Sequence, residues 1–190
     1  MGIGARLCVA FEGPRRIAAG DLASVAAEVK RALDRGGDAP ILIFDEETSE
    51  QLEVDFRGTV EDVLARLRPA AASPDEAPRG PGRPRLGVVA REVTLLPRHW
   101  EWLGEQPGGA SAALRRLVEE ARRTNADNDR VRKAREAAYR FLSTMGGNLP
   151  GFEEANRALF AGDAAKFDRE VEAWPTDIRD HARKLARASF

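Results

Sequence analysis

A stretch rich in proline, alanine and glycine divides this chain between residues 69 and 85. Such a composition buries too little apolar surface to offset the conformational entropy that is lost on folding. We therefore expect a flexible linker at 69–87, with parts that fold on either side of it. The 190 residues suffice for one domain or two small ones.

The first part of the chain predicts a β-hairpin and a helix. Leu7, Val9 and Phe11 alternate with other residues up to a Gly13-Pro14 turn, which is typical of a hairpin. A helix should follow, because an aspartate suited to capping precedes apolar residues at helical spacing. These residues are Asp21, Leu22, Val25, Ala26, Val29 and Leu33.

A second hairpin and helix complete the part before the linker. We expect strands at 41–44 and 52–56, the second with an alternation that buries one face. Thr59 and Asp62 have the spacing of a weak capping box at the start of the next helix. Residues 1–68 are therefore predicted to form a ββαββα domain, with both helices on one face of the sheet.

After the linker, residues 88–96 have the composition of a strand. Pro97 is suited to the first turn of a helix, and the Pro-Gly-Gly sequence at 107–109 should end that helix. Ser111 is then expected to cap a second helix.

This strand–helix–helix order at 88–123 resembles the ribbon-helix-helix family of DNA-binding proteins. The resemblance implies a homodimer, in which two strands form an antiparallel ribbon in the major groove and the second helix begins at a phosphate. It places Arg91 and Thr94 on the strand that enters the groove and Ser111 at the phosphate. It also implies a helical core and dimer interface formed by Trp100, Leu103, Leu114, Leu117 and Val118.

The phase of the strand leaves two arrangements open. In one, Glu92 and Thr94 face the DNA; in the other, Arg91 and Val93 face it and Glu92 is buried. Neither arrangement presents the polar, basic triplet that such proteins usually offer to the bases. A segment that serves only dimerisation is therefore the alternative.

The arm before the strand carries Arg79, Arg83 and Arg85 among prolines and glycines. Its Gly-Arg-Pro sequence at 82–84 resembles the core of an AT-hook, which binds the narrow minor groove of A·T-rich DNA. A soluble linker that happens to carry arginines is the other interpretation.

The distribution of charge limits where DNA could be contacted. Residues 1–68 hold nine basic and thirteen acidic side chains, whereas residues 69–123 hold nine basic and seven acidic ones. Because the N-terminal part would repel a phosphate backbone, any nucleic-acid contact is expected after residue 78.

The remainder of the chain, at 124–190, predicts four helices separated by glycine or proline. Basic residues after 125 form a face that could touch DNA, although acidic neighbours favour a solvated surface. His181 is expected on the solvent side of the last helix.

The sequence shows no catalytic or cofactor-binding constellation, so we expect a non-enzymatic protein without a cofactor or metal. Cys8 is the single cysteine and is expected in the core, and His99 should lie on the surface. The acidic loop at 45–50 lacks the spacing and glycine of a calcium loop and predicts a solvated hairpin tip. We find no membrane span or signal peptide, so the expected location is cytoplasmic.

Most of the chain also resembles an uncharacterised bacterial family known as a domain of unknown function. The residues that carry this resemblance are at 87–100 and 106–111. The resemblance implies no activity.

These patterns together predict an α+β protein with a ββαββα domain, a ribbon-helix-helix-like segment and a C-terminal helical region. Our leading hypothesis is a homodimeric DNA-binding protein, such as a transcriptional regulator. The residues expected to contact DNA are Arg79, Arg83, Arg85, Arg91, Thr94 and Ser111. The alternative is a non-enzymatic dimeric interaction module, and neither hypothesis defines a small-molecule effector.

Overall fold

The computed structural model describes residues 6–68, 89 and 91–190. They form an α+β protein of two compact units, as the sequence predicts for the fold class. The first unit combines residues 6–68 with 128–190, and the second contains the described residues up to 127. The linker predicted at 69–87 lies outside the described residues.

A three-stranded antiparallel sheet forms the centre of the first unit. Its strands are β1 at Leu7–Glu12, β2 at Arg15–Asp21 and β3 at Ile41–Asp45, in the order β2-β1-β3. The tight turn between β1 and β2 confirms the first predicted hairpin. Because β1 is the central strand, its backbone pairs on both edges.

Two helices follow the strands and begin at the caps that the sequence predicts. Helix α1 spans Leu22–Asp34, and the Asp21 carboxylate accepts a hydrogen bond from the backbone N–H of Ser24 at 3.0 Å. Helix α2 spans Val60–Leu67 and begins at a complete capping box formed by Thr59 and Asp62.

The strand predicted at 52–56 is wrong. Pairing with β3 is limited to a single bridge between Phe44 and Gln51, and the Leu52 N–H donates to the Ile43 carbonyl at 2.8 Å. The apolar alternation is nonetheless real, because every second side chain is half-buried against the α1 side of the sheet. An extended segment packed on the core needs that alternation even where it makes no further ladder hydrogen bonds.

The four helices predicted after residue 124 are all present. They are α5 at Ala126–Met145, α6 at Phe152–Ala161, α7 at Ala164–Glu170 and α8 at Thr176–Ala186, followed by a short 3-10 helix at Arg187–Ser189. Gly162 caps the C-terminal end of α6, and its φ of +76° is the left-handed conformation common after a helix.

Both faces of β1 are buried, and each contacts a different set of helices. Cys8 and Ala10 pack with α1, whereas Val9 and Phe11 pack with the helices α5 to α8. The Phe11 ring lies 5.4 Å from that of Phe141 in α5, measured between centroids. The N-terminal strands and the C-terminal helices therefore share one core, although they are distant in sequence.

The prediction that His181 faces solvent is wrong. Its side chain is 2% exposed, and its ring lies 4.6 Å from Phe141 and 5.5 Å from Phe11. It follows Ile178 by three residues and precedes Leu185 by four, so it belongs to the buried stripe of α8. Burial lowers the pKa of His181 to about 4.

We expect acid to destabilise this core through His181. The pKa is about 4 in the folded protein against 6.5 ordinarily, so the unfolded chain takes up the proton first. The contribution of neutral His181 to the free energy of unfolding is therefore fully present above pH 6.5. It is lost as the pH falls to 4, a change of about 3 kcal/mol. Nearby Lys184 and Arg16 favour the neutral ring, and Glu46 opposes them.

The measurement is urea unfolding at a series of pH values for the wild type and His181→Leu. Between pH 6.5 and pH 4, the free energy of unfolding should fall by about 3 kcal/mol less in His181→Leu than in the wild type. Equal losses in the two proteins would show that His181 does not couple folding to pH.

Candidate nucleic-acid interface

The second unit contains the helical hairpin predicted from the sequence. Helix α3 spans Pro97–Gly104 and has proline in its first turn, as expected. Helix α4 spans Gly109–Thr124. Leu103 of α3 and Ala113 of α4 are its buried apolar side chains, 3% and 1% exposed.

Two glycines make the turn between these helices. Gly108 and Gly109 have φ of +82° and +72°, a conformation that residues with a Cβ seldom adopt. The Gly109 N–H donates to the Gln106 carbonyl at 2.9 Å. A Cβ added at Gly108 would lie 3.0 Å from the Cβ of Ala112, so the turn is also closely packed.

Ser111 does not cap α4, and that prediction is wrong. The N-cap is Gly108, because the two glycines allow the helix to begin before the serine. Ser111 lies exposed in the first turn instead. Gly108 has no side chain that could cap the helix.

The segment before α3 carries the predicted reading face. Residues 91–96 have no regular secondary structure within the described chain, and both Arg91 and Thr94 are exposed. A ribbon requires the strand of a second molecule, so the ribbon and its phase stay predictions. Arg79, Arg83 and Arg85 lie outside the described residues.

Helix α4 is amphipathic, and its apolar stripe is only partly covered. Ala113 is buried, but Leu117 and Val118 further along the same stripe are 39% and 54% exposed. The opposite side carries charged residues such as Arg116 and Glu119. The helix therefore presents apolar surface beyond its contact with α3.

The start of α3 adds further exposed apolar residues. Leu96, Trp100 and Trp102 are 48%, 43% and 48% exposed. Single exposed apolar side chains are common on protein surfaces, but a concentration of large ones within one small unit is typical of an interaction site.

The basic face predicted on α5 is largely engaged within the protein. Arg132 pairs with Asp129 at 2.8 Å, and Arg140 donates to the carbonyl of Thr48 at 2.8 Å. Charges held in this way are less able to neutralise phosphates. This favours the solvated interpretation of that face.

Other candidate chemistry is limited. Among the described residues, no cluster of three His, Cys, Asp or Glu side chains could hold a metal ion. Cys8 is fully buried, as predicted, and burial raises the pKa of its thiol to about 11. His99 is exposed, also as predicted.

The acidic loop is only partly the solvated hairpin tip expected from the sequence. Asp45 is 6% exposed, and its carboxylate accepts hydrogen bonds from the N–H groups of Glu47 and Thr48 at 3.0 and 2.8 Å. It therefore closes a turn within the chain.

Similarity to known proteins identifies a family but no activity. The chain belongs to the family described as an uncharacterized protein conserved in bacteria (DUF2239). The match covers residues 7–186 and so includes both units. The resemblance to a bacterial family of unknown function is thereby confirmed. No curated protein and no solved structure matches the chain.

The lengths and apolar content of the helices in this DUF2239 protein can be compared with those of membrane-spanning helices. Within the described part of the chain, no helix combines the length and apolar content required to cross a bilayer.

The glycine turn allows a test of the hairpin. Gly108→Ala should destabilise the second unit by about 1–2 kcal/mol, because alanine is strained at positive φ and its Cβ would meet Ala112. The control is Gly104→Ala, where a Cβ has open space in a helix and should stabilise by up to about 1 kcal/mol.

Thermal unfolding followed by circular dichroism at one protein concentration measures both variants. If Gly108→Ala is as stable as Gly104→Ala, the turn does not have the left-handed conformation described.

Proposed function

We propose that the protein is a homodimeric DNA-binding protein, such as a transcriptional regulator, and that residues 88–123 pair with the same segment of a second copy. The observation that carries the proposal is the uncovered apolar stripe of α4. Its occupant is a second chain, because the strand–helix–helix order that the sequence predicts resembles a family whose members fold as such pairs.

The exposed residues of the second unit are suited to a two-fold interface. Fully burying an exposed leucine or valine side chain contributes about 1.5–3 kcal/mol, so covering the exposed parts of Leu117 and Val118 would contribute roughly half of that for each. In a two-fold dimer every such contact occurs twice, so a small unit can gain a core that it lacks alone. Only Leu103 and Ala113 are buried among the described residues of this unit.

Pairing would also satisfy the backbone hydrogen-bonding groups of the segment at 91–96. As one strand of an antiparallel ribbon, it would exchange backbone hydrogen bonds with its copy. Val93, which is 54% exposed, would then pack against the helices or face the groove, according to the phase.

The polar side chains that the dimer would leave exposed support contact with DNA. Arg91 and Thr94 are exposed on the segment that forms the ribbon, and Ser111 lies at the open end of α4. A phosphate at that end would accept hydrogen bonds from backbone N–H groups and would be attracted by the positive end of the helix dipole. The arginines at 79, 83 and 85 precede the ribbon and would add contacts to phosphates or the minor groove.

The second candidate function is a dimeric interaction module without DNA binding. Glu92 favours it, because an exposed carboxylate beside Arg91 would repel phosphates. The two functions share the dimer and differ in DNA affinity, so they require two separate measurements.

The first measurement concerns the dimer. Val118→Glu should convert it to a monomer, because an interface would have to bury an unpaired carboxylate. Arg116→Ala is the control, since it changes the charge by the same amount on the other side of α4 and should leave the mass unchanged. Light scattering over a range of concentrations measures both. A monomeric wild type would contradict the proposal, as would a dimer that Val118→Glu leaves intact.

The second measurement concerns DNA. The intact protein should retain genomic DNA fragments at low salt, with an affinity that falls steeply as salt rises. Arg83→Ala/Arg85→Ala should reduce the slope of log K against log salt by up to about 2, at close to 0.9 for each lost phosphate contact. Lys30→Ala/Arg31→Ala removes two charges from α1 and should leave the slope unchanged.

The pattern of results separates the functions. A dimer that shows no retention at low salt supports the interaction module and contradicts DNA binding. Retention that the arm variant leaves unchanged would exclude Arg83 and Arg85 and limit the contact to Arg79, Arg91, Thr94 and Ser111.

A further inference from the structure

An open groove lies in the first unit between residues 49–51 and helix α5. Its volume is about 640 Å³. The wall formed by α5 consists of Tyr139, Arg140, Ser143 and Thr144. A space of this size accommodates a small-molecule ligand of one or two rings.

Ser49 lines this groove and has two unfavourable features. Its φ is +54°, which makes it the one residue other than glycine with positive φ among the described residues. Its side chain is 2% exposed, and its hydroxyl has no hydrogen-bond partner. Backbone strain and an unsatisfied buried polar group are both costly, and such features concentrate at functional sites.

The surrounding turn holds Ser49 firmly in place. The Ser49 N–H donates to the carbonyl of Asp45 at 2.9 Å. The Asp45 carboxylate closes the turn through Thr48 and pairs with Arg6. The backbone of Ser49 is therefore fixed before any ligand arrives.

The charges that line the groove are of opposite sign and already engaged. Glu50 pairs with Arg6 at 3.1 Å, and the Nη1 of Arg140 donates to the Thr48 carbonyl. The other polar groups are hydroxyls and the Gln51 amide, which donates to Thr144 at 3.4 Å. This arrangement favours a neutral ligand with several hydroxyl groups over a charged one.

Tyr139 supplies an aromatic surface at the rim. It is 45% exposed, and its ring makes an edge contact with Phe160 at a centroid distance of 5.6 Å. An exposed ring held in this way can stack on the apolar face of a sugar ring, while hydroxyls and amides bind its edge.

We propose that this groove binds one ring of a neutral polyhydroxylated ligand, supplied either by a free monosaccharide or by the ribose of a nucleoside, and that the Ser49 hydroxyl bonds to a ligand hydroxyl. The Ser49 hydroxyl is buried in the unliganded protein, so binding must displace a neighbouring side chain. Exposed Arg140, which lines the same groove and donates to the carbonyl of adjacent Thr48, is the candidate for this displacement. The site uses no residue of 88–123, so its test is independent of the test of DNA binding.

Ser49→Gly tests the proposal, because glycine accepts positive φ and removes only the hydroxymethyl group. Titration calorimetry would use glucose, galactose, mannose and ribose in one arm, and adenosine and uridine in the other. The wild type should bind at least one probe saturably, and Ser49→Gly should weaken that binding about tenfold or more. Tyr139→Ala should weaken it as well, through the lost stacking surface.

The stability of the unliganded protein is the second readout. Ser49→Gly should melt at or above the temperature of the wild type, because it relieves strain and removes an unsatisfied hydroxyl. Ser49→Ala, which keeps the strain, should melt lower than Ser49→Gly. Failure of every probe to bind, equal binding to Ser49→Gly, or a lower melting temperature for Ser49→Gly would each overturn the proposal.

Discussion

The fold depends on the burial of both faces of β1. Its alternate side chains enter two different cores, Cys8 and Ala10 toward α1 and Val9 and Phe11 toward the C-terminal helices. Phe11 anchors the second core through its contact with Phe141. Because a one-residue shift in register would exchange the two faces, the pairing of β1 with both neighbours fixes which helices can pack where. The distant C-terminal helices thus complete the sheet that the first residues begin.

The two units differ in how fully they bury their apolar residues. The first unit has a core on each side of its sheet, whereas the described part of the second unit buries only Leu103 and Ala113. Helix α4 nevertheless has a continuous apolar stripe, of which Leu117 and Val118 are exposed. Apolar side chains that the described part of the chain leaves exposed are suited to contact with a partner. This contrast explains why the proposed function rests on the second unit, although the first unit is the better packed.

Local signals in the sequence predicted the elements well, and signals that depend on distant packing did not. The Asp21 and Thr59 caps, the Pro97 helix start and the C-terminal helices follow from neighbouring residues, and the structure has them. Ser111 was misplaced because two glycines tolerate positive φ and start α4 earlier. The strand at 52–56 was misjudged because alternation reports burial and not hydrogen bonding. His181 and the Ser49 groove depend on α8 and α5 meeting residues more than 90 positions away, which no local pattern reveals. The ribbon depends on a second chain.

Pairing of residues 91–96 with their own copy is the central claim, and cysteine cross-linking tests it most directly. Opposite residues in an antiparallel ribbon have Cα atoms about 4.5–5.5 Å apart, within the range that a disulfide spans. Single cysteines would be placed at 92, 93, 94 and 95 in turn, and buried Cys8, whose thiol pKa is about 11, should stay unreactive. The account predicts a covalent dimer under mild oxidation at the position nearest the two-fold axis, and none for a cysteine at exposed Arg31 in α1. Absence of cross-linking at all four positions would contradict the ribbon.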